Sequence, residues 1–301
     1  MSPTPTRDTP EGRAYNDLRN LAKHQGRDVA EYLALHALEG FLDRLTRSEY
    51  AHDLVLKGGV LMAAFAARRP TRDIDIQARS MVNDIADVEA MIATIAAIPA
   101  NDGLIFEPDS IHGEPIRDEA TYEGVRVHLT GQLATAVIPF HVDVNFGDPI
   151  WPAPSTVALP RLLGGEVTLL GYPAHMVLAE KIVTAIERGI ANTRWRDFVD
   201  ISSIADTTSV TADDLATAIQ VVSHFRQVTP RPLTEVLGGM GVIAQPKWTA
   251  WRRKQRLTGS TPDQFQQVID AGIAFADPVL TGDAARATWV PATHLWTTPA
   301  E

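Results

Sequence analysis

The sequence predicts a mixed α/β fold (α+β), a mixed sheet flanked by helices, followed by a C-terminal helical unit. Strand-like patterns occur in three segments, 53–57, 73–77 and 104–170. Apolar residues at helical spacing occur in the segments 13–48, 81–97, 194–206, 211–226, 245–256 and 261–276. We therefore predict a disordered leader over residues 1–12 and an α/β core over residues 13–172. A helical domain with an irregular tail from about residue 281 follows over residues 173–301.

The first helical region has a start signal and a buried face. Asp28 followed by Glu31 resembles a capping box, in which the first side chain accepts a hydrogen bond from the backbone of the first turn. Apolar residues then recur at the spacing of one helix face: Leu38, Phe41, Leu42 and Leu45.

The next stretch reads as a strand, a glycine pair, a short helix, a turn and a second strand. It runs from Lys57 to Arg79 and has the sequence KGGVLMAAFAARRPTRDIDIQAR. Glycine has no Cβ, so Gly58 and Gly59 allow a ligand to approach the backbone closely. Pro70 marks the turn, and the second strand carries Asp73.

Two longer strands follow, with one apolar face each. Val125, Val127 and Leu129 alternate with Arg126 and His128. The later run IPFHVDVNFG puts four apolar residues on one face and three polar residues on the other: Phe140, Val142, Val144 and Phe146, against His141, Asp143 and Asn145.

The composition changes after Pro173, which suits the first position of a helix. That helix has an apolar stripe formed by Ala179, Ile182, Val183 and Ile186. Gly189 is its predicted end.

Composition limits the class of protein. A hydrophobic fraction of 45% and a charged fraction of 21% over 301 residues indicate a globular chain. The absence of cysteine excludes disulfides, zinc–thiolate sites and thiol catalysis. There is no signal-peptide pattern and no long apolar run, so we expect a cytoplasmic protein without a membrane contact. The net charge of −10 disfavours a general nucleic-acid binder, although a local basic cleft remains compatible with it.

The aspartates of the second strand are the candidate metal ligands. Asp73 and Asp75 are two residues apart, so both side chains share one face of the strand, while Ile74 and Ile76 point into the core. Paired carboxylates suit Mg²⁺, which joins protein oxygens to substrate phosphates. The preceding glycines open a helix whose backbone N–H groups suit a phosphate. Either motif alone is common on solvated surfaces, and only their combination points to a site.

Gly58-Gly59, thirteen intervening residues and Asp-Ile-Asp-Ile together resemble the nucleotidyltransferase superfamily related to DNA polymerase beta. More narrowly, KGGVLMAAF with PTRDIDIQ is similar to the AbiEii/AbiGii toxin family, which includes MenT-type toxins, over about residues 15–205. The resemblance implies transfer of a nucleotide from an NTP, with Mg²⁺ or Mn²⁺ as the cofactor. Gly59 replaces a serine found in many superfamily members, so a hydroxyl that touches phosphate is missing there.

A third carboxylate commonly completes such a site from a neighbouring strand, and Asp143 is our candidate for this metal ligand. It lies on the polar face of its strand beside His141 and Asn145. Solvent exposure at a strand end is the alternative for Asp143, and Asp148 suits a turn.

The resemblance also extends to AEKIVTAIERG and NTRWRDFVDI in the helical unit. It implies that Lys181 holds NTP phosphates and acts in catalysis, and that Asp197 is a general base or orients the acceptor. Asp200, three residues on, is the alternative to Asp197. Ordinary surface positions, with Arg188 and Arg196 as ion-pair partners of the aspartates, are the competing interpretation.

Further residues flank the motif. Lys57, Thr71 and Arg72 join the two glycines and Lys181 as candidates for NTP binding, although alternation turns Arg72 away from Asp73. The resemblance also makes Thr71 a candidate for inhibitory phosphorylation.

Two basic patches are candidates for binding the acceptor. One comprises Arg68 and Arg69, and the other is WTAWRRKQR, with Arg252 and Arg253. Tryptophans between cations suit single-stranded RNA. A surface helix with its tryptophans in the core explains the second patch equally well.

The resemblance implies that the acceptor is the 3′ end of tRNA and that a cognate AbiEi-like antitoxin exists. A small molecule such as an aminoglycoside, or a protein hydroxyl, is the alternative acceptor, and the acidic composition favours it. A catalytically silent binding or regulatory protein on the same scaffold is the third reading. A monomer is the expected state.

Overall fold

The computed structural model describes residues 5–79, 81–118 and 121–298, and the chain divides into two compact units. The first unit contains Met1–Ala64, Arg68–Asp148 and Ser155–Gly171, and the second contains Phe65–Ala67, Pro149–Pro154 and Tyr172–Glu301. The predicted mixed α/β class is confirmed. None of the helices in the described ranges is long and apolar enough to cross a membrane.

The first unit holds a sheet and the helices that cover one of its faces. Its helices are α1 (Pro10–His24), α2 (Val29–Thr46), α3 (Gly58–Leu61, continued by a 3-10 turn at Met62–Phe65) and α4 (Ile85–Ala96). Its strands are β1 (Leu54–Lys57), β2 (Asp73–Ala78), β3 (Leu104–Phe106), β4 (His112–Asp118), β5 (Thr121–Leu133), β6 (Ala136–Phe146), β7 (Ser155–Pro160) and β8 (Glu166–Gly171).

The sheet of the first unit combines parallel and antiparallel pairs. Its strand order is β3-β5-β6-β2-β1-β8-β7, and β4 also pairs with β5. The β2–β6 and β1–β8 pairs are parallel, whereas the β1–β2, β5–β6 and β7–β8 pairs are antiparallel. Because β2 lies between β1 and β6, its residues have strand neighbours on both sides. The β5–β6 hairpin turns at Ala134, which has a φ of 52°.

Helices α1, α2 and α4 pack against the sheet and form the core of the first unit. Phe41 of α2 meets Phe106 and Phe140 of the sheet edge-to-face, at centroid distances of 6.1 and 6.2 Å. Arg44 of α2 is 3% exposed and pairs with Asp102 at 2.6 Å. Its guanidinium also donates to backbone carbonyls, so this buried ion pair fixes α2 to the α4–β3 connection.

Helix α1 begins earlier than the sequence analysis placed it. It starts at Pro10, three residues before the predicted helix start at residue 13. The Thr9 hydroxyl caps it by accepting a hydrogen bond from the Gly12 N–H, and Pro10 takes the first helical position. Threonine followed by proline is a helix-start signal.

The second unit is mainly helical. It contains α5 (Ala174–Arg188), α6 (Trp195–Thr207), α7 (Ala212–Arg226), α8 (Leu233–Val236), α9 (Met240–Gln255) and α10 (Phe265–Thr281). Three short strands form a separate sheet of order β11-β10-β9, with β9 (Val210–Thr211), β10 (Thr288–Val290) and β11 (Leu295–Thr297).

The prediction of an irregular tail after residue 281 is wrong, because that segment contains β10 and β11. Trp289 of β10 is 3% exposed, and its indole N–H donates to the Ala205 carbonyl at 2.8 Å. Its ring meets Phe275 edge-to-face. Strands of three residues leave too short an alternation to read from sequence, and here packing of the tryptophan holds them in place.

Candidate active site

The predicted alternation of β2 is present in the structure. Ile74 and Ile76 are 0% and 1% exposed, on the face that helices cover. Asp73 and Asp75 are partly exposed on the opposite face. The rigid strand therefore presents two carboxylates side by side.

Strand register places Asp143 directly beside Asp75. In the parallel β2–β6 pair these two residues are opposite each other. On the other side of β2, Lys57 is opposite Asp75, and beyond Asp143 the next neighbour is Arg126 of β5. Opposed residues point to the same face, so four charges from four strands form one row across the sheet.

Arg126 makes the closest described contacts of Asp143. The guanidinium donates from Nε to Oδ1 at 2.8 Å and from Nη2 to Oδ2 at 2.7 Å, in a bidentate pair. This hydrogen bonding to the Asp143 carboxylate stabilises the charged guanidinium and raises the pKa of Arg126 above its usual value. Alternation of β5 put Arg126 on the polar face, but only the register of the β5–β6 hairpin pairs it with Asp143.

Asp75 is the carboxylate whose ionisation the site disturbs most. Burial, followed by the charge of Asp73, raises the pKa of Asp75 to about 6, while Lys57 opposes this shift. A carboxylate that costs free energy to ionise among like charges is stabilised when a cation comes near. A divalent cation bound beside Asp75 would therefore offset the free-energy cost of its ionisation.

Gly58 packs directly against Asp75. A Cβ at Gly58 would lie 1.7 Å from the Oδ2 atom of Asp75, and the φ of Gly58 is +69°. A side chain is excluded here by both contact and backbone conformation. The Gly59 N–H donates to the Asp75 carboxylate and lowers its pKa, in opposition to burial. The glycine pair thus holds the second aspartate as well as opening α3.

Thr71 occupies the space where a side chain at Gly59 would stand. A Cβ there would lie 2.8 Å from the Thr71 hydroxyl oxygen and 3.0 Å from Nη1 of Arg69. Thr71 is 6% exposed, and its hydroxyl donates to the Oδ1 atom of Asp73. The hydroxyl that the sequence lacks at position 59 therefore has a counterpart at Thr71, beside the first aspartate.

Lys57 and Arg72 differ in their surroundings. The Lys57 ammonium donates to Asp148 at 2.7 Å and is 12% exposed. Asp148, which the sequence assigned to a turn, thereby fixes the lysine at the end of β1. Arg72 is exposed, and the alternation of β2 turns it away from Asp73.

Lys181, Asp197 and Asp200 form a cluster within the second unit. The Lys181 ammonium on α5 lies 3.0 Å from Asp197 and 2.7 Å from Asp200, both on α6. Arg194 also contacts Asp197 at 3.3 Å. The aspartates differ in exposure, since the side chain of Asp197 is 13% exposed and that of Asp200 is 2% exposed. Lys181 is thus an ion-pair partner of both aspartates, and Arg194 is a partner of Asp197.

The four arginines proposed for acceptor binding have unequal access to solvent. Arg68 pairs with Glu39 and donates to the Pro160 carbonyl. Arg252 is 3% exposed and pairs with Asp263 at 2.7 Å, and its guanidinium lies over the buried ring of Trp248. Trp248 and Arg252 of the segment WTAWRRKQR are therefore buried in the core, as in the alternative explanation of this segment.

Arg253 and Arg69 complete this set. Arg253 is exposed on α9, whereas Arg69 is half-buried beside the space that Gly59 leaves open. Of the four, Arg69 thus has an observed position next to the glycine pair, and Arg253 has open access to solvent.

The donor chemistry of β2 fits a divalent cation. Asp73 and Asp75 supply hard carboxylate oxygens from one strand face, which is the ligand type of Mg²⁺ and Mn²⁺. Across residues 5–79, 81–118 and 121–298, no three His, Asp or Glu side chains are grouped as a complete protein-only metal site. Mg²⁺ usually takes one or two protein carboxylates and completes its shell with water and substrate phosphates, so two ligands suffice.

A glycine turn and paired aspartates on a mixed sheet match the features predicted for a nucleotidyltransferase, and a family model assigns the chain to that class. A family model described as "Nucleotidyl transferase AbiEii toxin, Type IV TA system" matches residues 40–271. The match covers most of the sequence, so the chain belongs to the AbiEii toxin family, and the predicted resemblance is confirmed.

Two solved structures from Helicobacter pylori are similar to this chain. JHP933 is 12% identical, with a TM-score of 0.47, over 81% of this chain and 89% of its own. A second protein, provisionally described as a nucleotidyltransferase, is 13% identical, with a TM-score of 0.33, over 73% of this chain and 96% of its own. No curated protein matches the chain.

Proposed function

We propose that this toxin transfers a nucleoside monophosphate from an NTP to an acceptor hydroxyl, with Mg²⁺ or Mn²⁺ held by Asp73 and Asp75. One observation carries the proposal: two carboxylates on one face of β2 adjoin a glycine turn that has no room for a side chain. When bound, the ion would offset the negative charge of the carboxylates and phosphates. Asp143, held by Arg126, is the third carboxylate of the site.

The protein groups mainly position the reactants. The acceptor oxygen forms a bond to the α-phosphorus, the bond from that phosphorus to the bridging oxygen breaks, and pyrophosphate and the hydroxyl proton leave. Such displacements depend on alignment and charge neutralisation rather than on covalent participation of the protein. Gly58 and Gly59 allow the triphosphate to approach the backbone, and Thr71 supplies the hydroxyl that many superfamily members carry at position 59.

Lys57 and Arg72 remain candidates for binding the NTP from either side of the motif. Lys181 and Asp197 enter this proposal through the family resemblance, and the Lys181 ammonium lies 3.0 Å from Asp197. Lys181 is proposed to bind NTP phosphates. Asp197 is proposed to orient the acceptor or accept its proton, and its greater exposure favours it over Asp200.

The proposed acceptor is the 3′ end of tRNA, and the family implies a cognate antitoxin. Arg69 and Arg253 are the basic candidates for contacting that RNA. A small-molecule acceptor is the second candidate, favoured by the net charge of −10.

The test incubates the pure protein with each labelled NTP, Mg²⁺ and total tRNA, and in parallel with an aminoglycoside. We expect label on the tRNA with wild-type protein and none with Asp75→Asn. The matched control is Asp109→Asn, an exposed aspartate of the first unit, which should transfer normally. Label only on the small molecule would favour the second candidate, and full transfer by a folded Asp75→Asn protein would refute the role of β2.

A further inference from the structure

Three histidines from three neighbouring strands form a row that ends at Asp73. The strand register pairs Asp73 with His141, His141 with His128, and His128 with His112. The rings of His112 and His128 are stacked, with centroids 4.8 Å apart, and His128 and His141 are 5.8 Å apart. This histidine row (His112, His128 and His141) lies next to the row of charges that contains Asp75.

The histidine row belongs to the open face of the sheet. The side chains of His128 and His141 are 36% and 24% exposed, and His112 is exposed. Neighbouring residues on the opposite face, such as Val127 and Val142, are 0% exposed beneath the helices. The buried face holds the strands in place, so the imidazoles form a fixed surface rather than a flexible patch.

The same open face continues past the histidines into apolar surface. Gln132 pairs with Val137 on one side and with Ile105 on the other. Val137 and Ile105 are 66% and 67% exposed, which is unusual for large apolar side chains on a sheet. The surface that begins at Asp73 therefore offers a stack of imidazole rings and, beyond it, aliphatic groups.

Strand order decides which substrate meets this surface. The glycine turn follows β1, on one side of β2, whereas β6, β5 and β4 lie on the other side. In an in-line displacement the attacking oxygen and the leaving pyrophosphate are on opposite sides of the phosphorus. With the triphosphate on the β1 side, the acceptor approaches over β6 and β5, where the histidine row lies.

We propose that the histidine row binds the unstacked 3′-terminal nucleotides of the acceptor RNA. This inference rests on the proposed function. Aromatic rings of this kind, histidine included, are platforms for the bases of single-stranded RNA. Neighbouring strands are about 4.8 Å apart, so the row extends roughly 14 Å from Asp73. The rings of His112 and His128 already stack on each other, so a base would add to this stack on the outer side of His112.

The charges of this face favour contact with bases over contact with phosphates. The adjoining row places Arg126 between Asp143 and Glu114, so carboxylates flank its cation. Glu114 also accepts a hydrogen bond from His128 at 3.1 Å. RNA held mainly by stacking should bind with a weak salt dependence, whereas a basic patch would release many counterions.

The test measures binding of a short RNA with a 3′-deoxy end, which cannot be extended, to the full chain by fluorescence anisotropy. We expect His112→Ala and His128→Ala each to weaken binding about tenfold and to raise the acceptor KM equally, with the KM for NTP unchanged. His128→Phe, which keeps a flat ring, should restore most of the affinity. His52→Ala, at an exposed histidine of the first unit, is the matched control.

Two outcomes separate this inference from the proposed function. If the histidine variants transfer to RNA as well as the wild-type protein does, the histidine row alone is overturned. The same holds if His52→Ala weakens RNA binding as much as the histidine variants do. A wild-type protein that neither binds nor labels RNA overturns both. A steep salt dependence of RNA binding would also contradict the row and would move the RNA to a basic surface such as that of Arg253.

Discussion

Replacing Asp75 with asparagine should stabilise the metal-free protein while abolishing nucleotide transfer. Asparagine has nearly the same shape as aspartate, and its oxygen can still accept the hydrogen bond from the Gly59 N–H. The substitution removes only the charge that burial and Asp73 make costly. A residue that serves only for packing would show the opposite sign, because its replacement destabilises the fold.

The magnitude follows from the raised pKa of Asp75. A shift from 3.8 to about 6 is roughly two pKa units, and each unit corresponds to about 1.4 kcal/mol. The carboxylate is partly exposed, so solvent screening reduces this upper limit of about 3 kcal/mol, and we expect a gain of ~1–2 kcal/mol at pH 7.5.

The sign of the pH dependence is opposite to that of a salt-bridged carboxylate. The folded protein binds the Asp75 proton more tightly than the unfolded chain, so ionisation costs stability at every pH above about 6. The cost fades as the pH falls from 6 towards 4. The wild-type protein should therefore gain stability from this group between pH 7.5 and pH 5, and Asp75→Asn should lack that gain.

Urea unfolding in EDTA at pH 7.5 and pH 5 measures both effects, with Asp109→Asn as the control. Adding Mg²⁺ should then stabilise the wild-type protein more than Asp75→Asn, because a ligand stabilises the state that binds it. A variant that is less stable than wild type at pH 7.5, or that keeps the full pH response, would refute this reasoning about the site.

Three further experiments test the geometry. Gly58→Ala should reduce kcat about a hundredfold by displacing the adjacent carboxylate, whereas Gly164→Ala, also at a positive φ but in open space, should leave transfer unchanged. Arg44→Ala should lower the free energy of unfolding by about 3–5 kcal/mol in urea titrations, because it leaves the carboxylate of Asp102 buried without its ion-pair partner. In a double-mutant cycle, Lys181→Ala and Asp200→Ala should show a coupling energy above ~1 kcal/mol, and additive effects would contradict their contact.

Local patterns were sufficient to predict the central strands β2 and β6 and the faces of these two strands. The alternation of β2 and β6 gave the inward residues correctly, since Ile74, Ile76 and Val142 are buried. The glycine pair and Asp73 with Asp75 were also evident, because a strand of period two fixes which neighbours share a face. Family resemblance then identified the class of protein.

Relations between strands could not be predicted from the same patterns. The pairing of Arg126 with Asp143 depends on the β5–β6 register, and a shift of one residue would turn either side chain to the other face. His112, His128 and His141 are separated by long stretches of sequence and meet only through that register. The contact between Gly58 and Asp75 likewise arises where β1 and β2 pair.

The turn at Ala134 between β5 and β6 offers a practical handle on the protein. The end of this hairpin, Leu133 with Ala136, lies seven residues along each strand from the pair of Arg126 with Asp143. At about 3.4 Å per residue, the turn is roughly 24 Å from that carboxylate along the strands. Thr135 is exposed there, so a fluorophore or affinity peptide inserted at this point would report on the catalytic machinery from a distance without disturbing it.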